Sequence, residues 1–151
     1  MIDYDWQRID EGLFLEDEQA TQSAGEWIGR TIAQNQTVTL SGNLGDGKTT
    51  LSKGIARGWG VTANVKSPTF NYFLTYSGER GLLIHLDAYR IIGADDYASL
   101  LIEEILEEPW LLLVEWPEQI SCGLPSPILS LRIESAGEKT RRLYRLPASK
   151  P

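Results

Sequence analysis

The sequence predicts an α/β fold, a mainly parallel central sheet between two helical layers with antiparallel strands at its edges. Three observations predict it. Gly42-Asn43-Leu44-Gly45-Asp46-Gly47-Lys48-Thr49 fits the G-x-x-x-x-G-K-[ST] pattern of a phosphate loop. A β-rich segment of alternating apolar residues, 36–41, leads into it, and Leu51, Ile55 and Trp59 follow it at helical spacing. Two further apolar runs, 82–86 and 110–114, each end on an acid, Asp87 and Glu115. Such strands belong in a phosphate-loop NTPase-like three-layer sandwich, where ligands gather at the carboxyl ends of the strands.

The loop pattern has a mechanism. Glycines let successive backbone N–H groups turn inward around a polyphosphate, where a Cβ would collide. The positive end of the following helix faces the same anion. Lys48 then reaches the β- and γ-phosphates, and the Thr49 hydroxyl is a Mg²⁺ ligand.

The remaining elements follow in chain order. Residues 12–15 read as a short strand, and Asp17 and Glu18 open a helix with two acids against its positive end. Ala20, Ala24, Trp27, Ile28, Thr31 and Ile32 mark its expected buried face, and Gln34-Asn35 ends it. The helix behind the loop stops at Gly58-Trp59-Gly60. Pro68 biases Ser67 away from helix and makes 65–70 an irregular connection. Residues 71–76 and 82–86 form a hairpin about 77–81, and 95–106 carries one helical pattern, acidic outside. The run 110–114 suits a strand buried on both faces. A second hairpin, 128–134 and 141–146, closes the chain about Ser135-Ala136-Gly137-Glu138.

Length and composition bound the function. At 151 residues the chain is expected to be one domain, 1–151, long enough to bury a core. No apolar run approaches membrane-spanning length, and the acidic start lacks the basic flank of a secretory signal, so no membrane partner is expected. Cys122 is the single cysteine; it lies in a Gly/Pro/Ser-rich stretch without a His or Asp nearby, which argues against a nucleophile or metal ligand. A reducing cytoplasm fits this usage. The net charge of −7 disfavours autonomous nucleic-acid binding, since phosphate neutralisation dominates that affinity. Segment 91–131 holds eight acids and no Lys or Arg, whereas 132–150 holds six basic residues against two acids. That basic tail reads first as a solvated hairpin face, with contact to RNA inside an assembly as the other reading.

Either Asp87 or Glu115 can hold Mg²⁺, directly or through water, with the other orienting an attacking water. His85, the only histidine, falls on the strand face of Asp87 and reads as a satisfied buried histidine rather than a general base. Trp116 is equally compatible with stacking on a base and with core packing.

The phosphate loop through Thr50, Asn-Val-Lys-Ser-Pro-Thr-Phe at 64–70, His-Leu-Asp-Ala-Tyr-Arg at 85–90 and Val-Glu-Trp-Pro-Glu at 114–118 occur in this order. Together they resemble the TsaE (YjeE) family of small bacterial ATPases, as does Asp-Glu-Gln-Ala-Thr at 17–21, over residues 17 to about 145. The resemblance implies an ATPase that supports repeated threonylcarbamoyl transfer to adenosine 37 of tRNA. It implies binding to a TsaD–TsaB pair, of which TsaD is the transferase, with tRNA met only through that complex. Its cofactors are ATP and Mg²⁺. Carried over by motif, Gly42, Asn43, Leu44, Gly45, Asp46, Gly47, Lys48, Thr49 and Thr50 hold phosphates. Thr49 and Glu115 ligate Mg²⁺, with Asp87 beside the metal and water. Ser67 and Thr69 lie near the γ-phosphate in a switch-like loop, Trp116 lies near the nucleotide, and Arg141 approaches it. One departure is Asp46, where the family usually has Ala, which sets a carboxylate beside a polyanion.

A small-molecule kinase is the alternative use of the same loop. It needs arginines in a lid and room for an acceptor, and between residues 58 and 131 only Lys66, Arg80 and Arg90 are basic. A GTPase-like switch lacks its Asn-Lys-x-Asp base-recognition motif. The mechanism expected is in-line attack of water on the γ-phosphate, slow in the isolated chain, with Arg90 the internal candidate for an arginine finger.

Overall fold

The computed structural model describes residues 4–66, 68, 71–120 and 123–147; Ser67, Thr69 and Cys122 lie outside the described residues. Among the described residues seven strands form one sheet: β1 (Leu13–Leu15), β2 (Gln36–Ser41), β3 (Phe73–Gly78), β4 (Gly81–Asp87), β5 (Trp110–Glu115), β6 (Ile128–Ser135) and β7 (Arg141–Arg145). Their order is β1-β7-β6-β2-β5-β4-β3. The central four, β6, β2, β5 and β4, run parallel. Antiparallel β3 closes one edge, and β7 with β1 closes the other. The expected fold class is therefore the observed one.

Period-two alternation splits the core between the two sheet faces. Leu111 and Leu113 of β5 pack with Val38, Leu40 and Leu83 beneath α2 (Glu18–Thr31) and α3 (Lys48–Trp59). Trp110, Leu112 and Val114 pack with Ile84, Leu86, Tyr97 and Ile102 beneath α4 (Gly93–Ser99) and α5 (Ile102–Ile105). Glu115 continues the 111–113 series, and His85 and Asp87 continue the series of Leu83. The two acids and the imidazole thus fall on the α3 side of the sheet, where α3 begins.

Asp17 caps α2, its carboxylate accepting from the Ala20 N–H at 2.8 Å. The buried face of α2 matches the expected one at Ala24, Ile28 and Ile32 and departs from it elsewhere. Thr21, Ala24, Gly25, Ile28 and Gly29 are buried, Thr31 is exposed, and Trp27 is half-buried against the rings of Tyr4 and Trp6. The cause is a glycine seam with α3. A Cβ on Gly29 would lie 2.1 Å from the Ile55 carbonyl, and one on Gly58 would lie 2.1 Å from that of Glu26. Backbone meets backbone there, a contact that apolar periodicity does not register.

Two other elements depart from expectation. The helix expected over 95–106 is two, α4 and α5, because Leu101 adopts a left-handed φ of 55° and breaks the ladder. A short α1 (Trp6–Glu11), capped by Asp5, precedes β1. No helix among the described residues is long and apolar enough to cross a membrane.

The basic closing hairpin is tied into the chain. Arg145 forks onto Asp10 with both bonds at 2.8 Å, Arg132 meets Glu134 at 2.7 Å, and Arg142 donates to the Gly12 carbonyl.

Candidate functional site

The phosphate loop leaves β2 at Gly42, whose φ of 151° and approach to β6 both require glycine. A Cβ there would come within 2.5 Å of the Ile133 carbonyl. Gly47 ends the loop in the left-handed region and starts α3 without a side-chain cap. The first N–H groups of α3 therefore have no capping side chain competing for them, and they face the loop with the positive end of the helix dipole.

Lys48 is buried, and its Nζ donates to the carbonyls of Gly42 at 2.7 Å and Asn43 at 2.9 Å. The same ammonium lies 3.9 Å from the centroid of the Trp116 ring, a cation–π contact. Burial pushes its pKa below the ordinary lysine value, against the opposing pull of the Glu115, Asp46, Glu118 and Asp87 carboxylates. Trp116 in turn packs on Tyr89, centroids 5.0 Å apart.

Asp46 turns its carboxylate into the protein. One oxygen accepts from the Asn43 N–H at 3.0 Å and the other from the Ser135 hydroxyl at 2.8 Å. It closes the loop on itself and on the end of β6. Arg141 completes that brace from β7. Its guanidinium donates to the Asp46 carbonyl at 3.0 Å, to Gly45 at 3.2 Å, and to the hairpin carbonyls of Gly137, Glu138 and Thr140. Arg141 thus touches the loop backbone, and its donors are committed to carbonyls.

Opposite the loop, β4 and β5 pair Asp87 with Glu115 in register. Glu115 is 3% exposed. Its Oε1 accepts from the Thr49 hydroxyl at 3.3 Å; its Oε2 accepts from the Ser52 hydroxyl at 3.3 Å and meets Nε2 of buried His85. Burial pushes the Glu115 carboxyl up. The His85 hydrogen bond and charge, the Ser52 hydroxyl and Lys48 outweigh it and hold the group below the ordinary carboxylate value. Asp87 is more open and accepts from the Tyr89 N–H at 3.1 Å.

Leu44, Lys48, Thr49, Asp87, Glu115 and Trp116 line one cavity of about 330 Å³. The structure therefore gathers most of the residues that the motifs single out. A second cavity, about 520 Å³, lies on the other flank of the loop, between the start of α2 (Asp17, Glu18, Thr21) and the closing hairpin (Glu138, Lys139, Arg141). The two share Gly45, Gly47 and Thr50. Thr21 and Lys139 are not among the motif-derived site residues; the resemblance at 17–21 and Arg141 are the sequence signals toward that side. Ser67 and Thr69, expected near the γ-phosphate, lie outside the described residues.

The donors at the β5 end suit a hard cation that keeps other oxygen ligands. Thr49 and Glu115 offer two oxygens 3.3 Å apart. Among the described residues no group of three or more His, Cys, Asp and Glu forms a metal cage. Two such oxygens can hold a hard cation that takes its remaining ligands from elsewhere.

Parallel strands, loop and strand-end acids define a phosphate-loop NTPase-like α/β protein. The family model described as "Threonylcarbamoyl adenosine biosynthesis protein TsaE" matches residues 15–143. Proteins named tRNA threonylcarbamoyladenosine biosynthesis protein TsaE are similar along most of their length. That of Treponema pallidum (strain Nichols) is 32% identical over 123 residues, covering 80% of this chain and 90% of its own. That of Aquifex aeolicus (strain VF5) is 34% identical over 136 residues, covering 88% and 95%. That of Bacillus subtilis (strain 168) is 39% identical over 106 residues, covering 70% and 66%. The crystal structure of Bacillus subtilis YdiB superposes with a TM-score of 0.65 at 30% identity, covering 87% of this chain and 81% of that one. The chain belongs to the TsaE family, whose role lies in the biosynthesis of threonylcarbamoyladenosine in tRNA.

Proposed function

We propose that this chain is the Mg²⁺-dependent ATPase of the tRNA-modifying system, binding TsaD and TsaB homologues and supporting repeated threonylcarbamoyl transfer. The observation that carries the reading is the meeting of Thr49 and Glu115 at 3.3 Å beside buried Lys48, at the carboxyl ends of parallel strands.

In this reading the loop amides and Lys48 hold the phosphates, Lys48 exchanging its two carbonyl acceptors for phosphate oxygens. Thr49 and Glu115 hold Mg²⁺, which when bound supplies charge neutralisation at the phosphates. Asp87, on the same strand-end rim, orients a water. That water forms a bond to the γ-phosphorus as the bridging oxygen leaves with ADP, releasing phosphate. The cavity between α2 and the closing hairpin has the size for the nucleoside end, with the loop between it and the metal.

Arg141 has its donors committed to backbone carbonyls, and Arg90 stacks on the Tyr72 ring at 5.5 Å. Neither lines the cavity of Thr49, Asp87 and Glu115, so in this reading the isolated chain hydrolyses ATP slowly and a partner accelerates it. The test is ATP turnover with and without TsaD–TsaB. Acceleration by the pair, and loss of turnover without Mg²⁺, are expected. Full-rate turnover that ignores the pair overturns the coupling.

A further inference from the structure

The fully buried His85 has no part in the chemistry above, yet it is costly to keep. Leucine and isoleucine occupy its neighbours in β4, so an apolar side chain suits the position. Instead an imidazole is buried with Nδ1 lacking any hydrogen-bond partner among the described residues. Its single polar contact among the described residues is Nε2 with Oε2 of Glu115.

That contact divides the carboxylate in two. Oε2 is held from one side by His85 of β4 and from the other by the Ser52 hydroxyl of α3. Oε1 is left to the Thr49 hydroxyl, beside the cavity. A glutamate has three side-chain torsions, and a free one spreads its two oxygens over many directions. Fixing one oxygen inside the sheet fixes where the other points.

We propose that His85 is a positioning residue for Glu115: it holds Oε2 so that Oε1 is presented, with the Thr49 hydroxyl, as the metal-facing pair. The proposal rests on the reading of Thr49 and Glu115 as the Mg²⁺ ligands. His85 does not line the cavity of Thr49 and Glu115 and acts only through the carboxylate, as outer partners of metal ligands do.

The test is Mn²⁺ binding to the ADP complex, followed by electron paramagnetic resonance, alongside ADP affinity measured without metal. His85→Leu keeps the volume and removes the donor; His85→Gln returns an amide N–H near the position of Nε2. The expectation is about a tenfold weaker Mn²⁺ affinity in His85→Leu. Metal-free ADP affinity stays within about twofold, and His85→Gln recovers most of the loss. Unchanged Mn²⁺ affinity in His85→Leu, or an equal loss in both variants, overturns the proposal. If the Leu variant does not fold, Gln is compared with Asn, whose amide stops short of Nε2; equal affinities in that pair overturn it. Glu115→Gln separates this from the reading beneath it. If Glu115→Gln binds Mn²⁺ as the native chain does, the metal-site reading fails and the His85 role falls with it.

Discussion

The Thr49 hydroxyl lies 3.3 Å from Oε1 of Glu115, though the two residues stand 66 positions apart in the chain. Parallel pairing of β2 with β5 creates this contact, because it brings the end of β5 level with the start of α3. If Lys48 and Glu115 serve phosphate and metal there, removing either removes catalysis without removing the fold. Lys48→Ala and Glu115→Gln are each expected to lower Mg²⁺-dependent ATP turnover by about 10²–10³-fold. Native-like circular dichroism with that loss is the expected pair of readings; normal turnover in either variant removes that residue from the site.

Glu115 also links stability to acid. Its folded pKa is held below the unfolded value, so its ionised form stabilises the fold above the ordinary carboxylate range. That contribution is lost as pH falls from about 4.3, the unfolded value, through the lower folded one. Urea unfolding of the ligand-free protein against pH checks this. The native chain should lose stability through that window more steeply than Glu115→Gln, which cannot titrate there; parallel curves contradict it.

Asp46 braces the loop from within the protein. Its carboxylate accepts from Asn43 and Ser135, so Asp46→Ala forfeits two hydrogen bonds, one of them to backbone. A destabilisation of about 1–2 kcal/mol is expected, together with ADP binding weakened a few-fold by calorimetry. Tighter ADP binding in Asp46→Ala would mean that repulsion of the phosphates outweighs the brace.

The seam between α2 and α3 reverses the usual sign of a helical Gly→Ala change. Alanine is favoured over glycine in a helix interior by about 1 kcal/mol. A methyl on Gly29 nonetheless meets the Ile55 carbonyl at 2.1 Å, where backbone cannot yield cheaply. Gly29→Ala is expected to destabilise by about 1–3 kcal/mol in denaturant unfolding. A stabilised variant would show that the helices can separate at no cost.

These particulars show which parts of the molecule are legible in sequence. Lys48, Thr49 and the glycines carry a fixed spacing imposed by one ligand chemistry, and Asp87 and Glu115 announce themselves by ending buried strands. Other features lack such a code. The glycine seam is silent because glycine adds nothing to an apolar pattern. The break at Leu101 depends on a left-handed φ that leucine seldom adopts. The commitments of Asp46 and Arg141 to Ser135 and to the loop carbonyls are set by how the β6–β7 hairpin packs over the loop, a long-range choice that neither segment encodes alone. Period two puts His85 on the face of Asp87, but its partner emerges only from the pairing of β4 with β5.

The most direct test of the account is reconstituted tRNA modification: threonylcarbamoyladenosine formed per TsaD–TsaB complex, with and without this chain, in ATP or a non-hydrolysable analogue. Many turnovers only when the chain and hydrolysable ATP are both present is the predicted result. Equal product over many turnovers in all four conditions would contradict it.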